Sequence, residues 1–143
     1  MSRFFIIDTN VVVAGLLASR PDSPVARILD GMLSAAFACV LSEPLLAEYR
    51  AVLLRPHLTK LHGLSETQID TVLTELVQHA VVLTPPAQQA FLAPDPGDQF
   101  LWNLLAMRTD LVLVSGDKRL LNTPDMAHRV VLPSAFVPTE MGH

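Results

Sequence analysis

Apolar residues follow two rhythms along this chain. Short unbroken runs alternate with stretches where they recur every three or four positions. The runs predict buried strands, and the spaced stretches predict amphipathic helices. The first run predicts a strand over Arg3–Ile7, stopped by Asp8. Val11–Leu17 predicts a helix, against the modest helix propensity of its valines. Ser23 and Pro24 read as the cap and first position of the next helix, with Val25, Ile28, Leu29, Met32 and Leu33 at helical spacing. Phe37–Leu41 predicts a second strand.

The second half repeats the alternation. Glu43–Leu54 predicts a helix with Leu45, Leu46, Tyr49, Val52 and Leu53 on one side, ended by Arg55-Pro56. Ser65 and Gln68 form a capping-box pattern ahead of Ile69, Val72, Leu73, Leu76 and Val77. Ala80–Leu83 predicts a third strand, broken by Thr84-Pro85-Pro86. Asp95-Pro96-Gly97-Asp98 opens a helix through Leu105, and Leu111–Val114 predicts a fourth strand. A helical turn over Lys118–Leu121 and a last strand over Val130–Leu132 follow. Pro133–His143 reads as a tail with little periodicity. The expected fold class is α/β: a central parallel sheet of four to five strands, buried on both faces by helices.

Composition narrows the class. The 143 residues suit one domain, and half of them are hydrophobic, so a full core is available. The single cysteine, Cys39, lies inside an apolar run and reads as a buried small hydrophobe, which suits a reducing compartment. A net charge of −4 argues against a general grip on nucleic-acid backbone, although a bound metal can supply positive charge locally. Asp8-Thr9-Asn10 cuts the apolar N-terminus in two, which argues against a signal peptide. No stretch reaches the roughly 20 apolar residues of a membrane span. The expectation is a soluble, cytoplasmic protein.

Candidate chemistry lies in acids placed where elements meet: Asp8, Glu48, Asp98 and Asp117. Each has a plain structural reading. Asp8 and Asp117 suit helix N-caps, Asp95 suits the cap before Pro96, and Glu48 suits a helix surface. Each also has a functional reading, since open α/β sheets gather their sites at the carboxyl ends of strands. Hard oxygen ligands suit Mg²⁺ or Mn²⁺. Asn10 and Ser115 could steady a carboxylate or a bound water. His57, His62, His79, His128 and His143 show no metal-ligand spacing. No phosphate-binding P-loop and no Gly-x-Ser-x-Gly elbow occur. Phe100 and Trp102 could stack on a base, with at least one of them expected in the core.

Phe5-Ile6-Ile7-Asp8-Thr9-Asn10-Val11, Leu46-Ala47-Glu48-Tyr49, Asp95-Pro96-Gly97-Asp98-Gln99-Phe100-Leu101 and the segment from Val112 through Ser115-Gly116-Asp117 to Leu121 together resemble a PIN-domain protein. The likeness is to the bacterial PIN group of toxin–antitoxin ribonucleases. It implies a three-layer α/β/α fold and a Mg²⁺- or Mn²⁺-dependent endoribonuclease. It carries over Asp8, Glu48, Asp98 and Asp117 as catalytic and metal-binding acids, with Asn10, Ser115 and Asp95 supporting. It further implies an RNA substrate, a homodimer and an antitoxin partner. Trp102 stands where many relatives carry another acid, and basic residues are few. Two alternatives stay open: a non-catalytic interaction module, and an RNA-processing nuclease with no antitoxin. A receiver-like phosphoacceptor domain ranks last, because Ser42-Glu43 follows the second strand where an Asp would be needed.

Overall fold

The structure, a computed structural model, describes residues 3–86, 92–123 and 127–140, with side chains through Val137 in the last segment. Five strands, β1 (Phe4–Ile7), β2 (Cys39–Leu41), β3 (Ala80–Val82), β4 (Leu111–Val114) and β5 (Val130–Val131), form one sheet in the order β3-β2-β1-β4-β5. Every pairing is parallel. Helices α1 (Thr9–Leu17) and α2 (Pro24–Ser34) join β1 to β2. Helices α3 (Glu43–Leu53), α4 (Pro56–His62) and α5 (Glu66–Gln78) join β2 to β3, α6 (Gln99–Leu105) precedes β4, and α7 (Pro133–Glu140) ends the described chain.

The chain first builds outward from β1 through β2 to β3. It then returns to add β4 on the other side of β1. Parallel crossovers are right-handed, so reversing the direction of travel sends the connecting helices to opposite faces. This gives the layered α/β fold that the alternation predicts. The reversal also opens a crevice beyond the carboxyl ends of β1 and β4, the place where such sheets bind ligands.

The core is continuous. Ile6, Ile7, Leu113 and Val114 on the central strands are wholly buried against Leu45, Leu104, Leu105 and Ile69. Cys39 lies in the same core, where burial pushes its thiol up to about 12. Helices α1 and α2 cross closely at Gly15, where an added Cβ would fall 2.6 Å from the Val25 carbonyl oxygen.

Local signals behave as physics predicts at most boundaries. The Ser23 hydroxyl accepts from the Ala26 N–H, with Pro24 at the first turn. Ser65 and Gln68 make the reciprocal capping box. The turn after Asp117 is a 3-10 helix over Lys118–Asn122.

Four expectations need correction. Helix α1 begins at Thr9 rather than Val11, because Asp8 caps it. Pro56 ends α3 and also starts α4, a helix the sequence pattern does not predict. Proline forces Arg55 into an extended conformation and then fits the first helical turn itself. Strand β3 is not buried on both faces, since Val81 and Val82 are 46% and 49% exposed at the sheet edge. The expected tail from Pro133 is helix α7, with Phe136 and Val137 buried. Phe136 meets Phe5 and Phe37 edge-to-face at ring separations of 4.8 and 5.0 Å.

Candidate active site

The register of β1 on β4 aligns Ile7 with Val114. The next residue of each strand, Asp8 and Ser115, therefore leaves the sheet side by side. The Asp8 N–H donates to the Val114 carbonyl at 2.9 Å. The Ser115 hydroxyl donates to Asp8 Oδ2 at 2.8 Å, and the Asn10 amide donates to the same oxygen at 3.3 Å. Asp8 Oδ1 accepts the Thr9 N–H at 2.8 Å and so caps α1. The cap uses one oxygen of Asp8, while the other faces Ser115 and Asn10. Capping alone does not require burial, yet Asp8 is only 8% exposed.

Asn10 ties the two strand ends together. Its Oδ1 accepts the Gly116 N–H at 2.9 Å while its amide reaches both Asp8 and Ser115. Gly116 allows this approach, since an added Cβ would stand 3.3 Å from Asn10 Oδ1. The Ser115 hydroxyl also accepts the Asp117 N–H at 3.0 Å, which orients the loop carrying that acid.

Helix α3 delivers Glu48 from the β2 side. The Thr9 hydroxyl donates to Glu48 Oε2 at 2.5 Å. One residue on, the buried Tyr49 phenol donates to the Ile7 carbonyl at the end of β1. On the other side of the crevice Asp95 caps the turn Pro96–Asp98 by accepting the Gly97 N–H at 2.9 Å. Asp98 follows, half-buried, at the start of α6. Asp95, Asp98, Trp102, Asp117 and Arg119 line one cavity of about 210 Å³.

The charges act on one another. Burial pushes the Asp8 carboxyl above its usual range, and the negative charges of Glu48 and Asp117 add to the push. The hydrogen bonds from Ser115 and Thr9 oppose it. Burial likewise raises Asp98, helped by the charges of Asp8, Asp95, Asp117 and Glu48. Asp117 goes the other way: the Arg119 guanidinium beside it holds its carboxyl below the usual range. The fold thus brings all the sequence-predicted acids into one electrostatic neighbourhood. Asp95 stands at its exposed rim.

Among the described residues, no three acidic, imidazole or thiol groups stand close enough to form a ready-made metal cage. The donor set still suits a hard divalent ion. Mg²⁺ keeps several of its waters and takes only one or two protein carboxylates alongside phosphate oxygens. Buried carboxylates raised by one another's charge gain from a cation placed among them. Both Asp8 and Asp98 are raised, by burial first and by neighbouring negative charge second.

Three contributors are not singled out by the sequence pattern. Thr9 holds Glu48, Tyr49 anchors α3, and Arg119 clasps Asp117. Only Thr9 carried a signal, from its place between Asp8 and Asn10. Trp102 is 3% exposed and belongs to the core, with Phe100 partly buried beside it. His62 is structural: one ring nitrogen meets the Leu53 carbonyl and the other accepts the Leu64 N–H. No helix among the described residues is long and apolar enough to cross a membrane.

No curated protein and no solved structure matches the chain. A family model described as PIN domain matches residues 5–119, a stretch holding β1 to β4 and every acid of the crevice. Proteins of that family are generally nucleases that use Mg²⁺ or Mn²⁺. With the match running over most of its length, this chain belongs to the PIN-domain family.

Proposed function

We propose that this protein is a metal-dependent endoribonuclease that hydrolyses RNA phosphodiester bonds at the Asp8 crevice. The observation that carries the reading is the burial of Asp8 at the strand-order reversal, within the field of Glu48, Asp98 and Asp117. Asp8 and Asp98 would hold the Mg²⁺ or Mn²⁺ ion, with Glu48 and Asp117 completing its surroundings. The ion would neutralise phosphate charge and lower the pKa of an attacking water.

The chain's own residues supply order and proton handling. Ser115 and Asn10 fix one oxygen of Asp8, and the Thr9 N–H fixes the other. Thr9 restrains Glu48 through Oε2, which leaves Oε1 to accept a proton from water. That water oxygen would bond to phosphorus as the bond from phosphorus to the leaving ribose oxygen breaks, the leaving oxygen taking a proton from solvent and Glu48 later releasing its own to solvent. The buried floor of the crevice at Thr9 and Ser115 limits competing water. The net charge of −4 makes substrate capture depend on local positive charge rather than on a basic surface.

The toxin role, an antitoxin partner and a homodimer rest on the sequence resemblance. A short neighbouring reading frame for a DNA-binding protein would support them over general RNA processing. A second reading has one observation behind it: Asp8, Asp95 and Asp117 each cap a helix or turn, as a non-catalytic module would use them. The deciding experiment incubates structured and single-stranded RNAs with the protein and Mn²⁺, beside a DNA control. Cleavage by the wild type and none by a folded Asp8→Asn variant is expected. No cleavage of any RNA at saturating Mn²⁺ would give the interaction-module reading the better case.

A further inference from the structure

The crevice is acidic, yet a cation, Arg119, lines its cavity beside Asp95, Asp98 and Asp117. The Arg119 Nε donates to Asp117 Oδ1 at 3.0 Å and to Oδ2 at 3.3 Å, and an Nη of Arg119 donates to Oδ2 at 2.8 Å. Both oxygens of Asp117 are thereby occupied. The Arg119 N–H also caps onto Oδ1 at 3.0 Å, which holds the backbone whatever the side chain does. The carboxylates of Asp95 and Asp98 draw on the same guanidinium. Arg119 lines the cavity that Asp98, Asp117 and Trp102 also line.

The exposures of the two partners differ sharply. The Arg119 side chain is 82% exposed and that of Asp117 is 21% exposed. Asp117 is fixed by its backbone, whose N–H donates to the Ser115 hydroxyl. The rest of the arginine side chain is a long arm over solvent. An ion pair so exposed is held weakly. A divalent ion at Asp117 would compete with it for the same two oxygens, and the released guanidinium would stay within reach of the cavity mouth. Its planar fork of donors matches a phosphate.

Resting on the nuclease reading, we infer that Arg119 is a transferable clamp: it blocks Asp117 until a divalent ion takes that carboxylate, and then binds a phosphate of the RNA. This supplies positive charge at the mouth of a cavity lined by Asp95, Asp98 and Asp117. It also makes loading of the ion and engagement of the substrate mutually supporting, because each frees or uses a group the other needs. Arg119 is thus a substrate-binding residue whose resting partner is an acid of the site.

The test uses the full chain with Arg119→Ala and Arg119→Lys. Mn²⁺ affinity is measured by titration calorimetry without RNA, and cleavage of a single-stranded RNA is measured at saturating Mn²⁺. Arg119→Ala is expected to bind Mn²⁺ about threefold to tenfold more tightly. Its KM for RNA is expected to rise while kcat changes less, and the salt dependence of KM to become shallower. Arg119→Lys, which keeps the charge but loses the fork, should fall between. Unchanged or weaker Mn²⁺ binding by Arg119→Ala overturns the clamp. An unaltered KM overturns the phosphate role. If the wild type binds Mn²⁺ and cuts RNA, such results leave the nuclease reading standing. If the wild type does neither, both inferences fall together.

Discussion

The Tyr49 phenol donates a hydrogen bond to the Ile7 carbonyl, and this contact couples helix α3 to the last residue of β1. Tyr49 is wholly buried, and burial keeps its hydroxyl protonated well above the ordinary range. Glu48 precedes Tyr49 and Asp8 follows Ile7, so this buried bond and the Thr9–Glu48 bond together set the separation of two acids. Tyr49→Phe keeps the ring and deletes the donor. It should cost about 1–2 kcal/mol of stability, read by urea denaturation. Cleavage should fall further than the unfolded fraction explains, because Glu48 loses its registry with Asp8. A variant with full activity would show that Thr9 alone positions Glu48.

The raised carboxyls of Asp8 and Asp98 make a pH prediction with a definite sign. Each holds its proton more tightly when folded than when unfolded, burial being the main cause. Their contribution is therefore present at low pH and is lost as pH rises from the ordinary value of 3.8 through the raised folded value. Asp117, Asp70 and Asp110 are lowered by Arg119, Arg50 and Arg108 and act in the opposite sense below 3.8, but their arginine partners are exposed and screened. Asp8→Asn keeps a good cap and removes the buried charge. Without metal it should gain stability relative to wild type as pH rises from about 4 to 7. Mn²⁺ at about a hundred times its Kd should add roughly 2.7 kcal/mol to the wild type and much less to the variant. Denaturation curves at several pH values, with and without Mn²⁺, check both. A wild-type midpoint indifferent to saturating Mn²⁺ would count against any metal at this crevice.

Helix α7 closes the core rather than trailing from it. Phe136 is 1% exposed and forms an edge-to-face cluster with Phe5 and Phe37. Phe136→Ala should destabilise the protein by about 3–5 kcal/mol, through lost burial and the cavity left behind. The measurement is again equilibrium denaturation. A loss below about 1 kcal/mol would mean the core closes without α7.

Much of the fold was readable along the chain because strands and helices bury their faces with different periods. Leu111–Val114 and Ile69–Val77 announce themselves in that way. The misses share a cause. Pro56 satisfies the rules for ending a helix and for starting one, and only packing of Leu58 into the interior favours the second. Phe136 has no periodic companions, so its burial depends on Phe5 and Phe37, which are distant in sequence. Val81 and Val82 look like core, but strand order leaves β3 at an edge.

For the site, residue chemistry and position fixed which groups could take part. Asp8, Glu48, Asp98 and Asp117 were named by their places beside strand ends and helix starts. Each also had a local use as a cap or surface charge, and sequence spacing cannot separate these uses. Their arrangement in space belongs to the register of β1 on β4, which puts Ser115 against Asp8, and to the Tyr49–Ile7 bond, which docks α3. Arg119 shows the limit most clearly. Its bond to Asp117 spans two residues, but its meaning depends on Asp98 arriving across the same cavity. Periodicity is a local property carried by each segment, whereas electrostatic coupling depends on distances through space that only the folded chain sets.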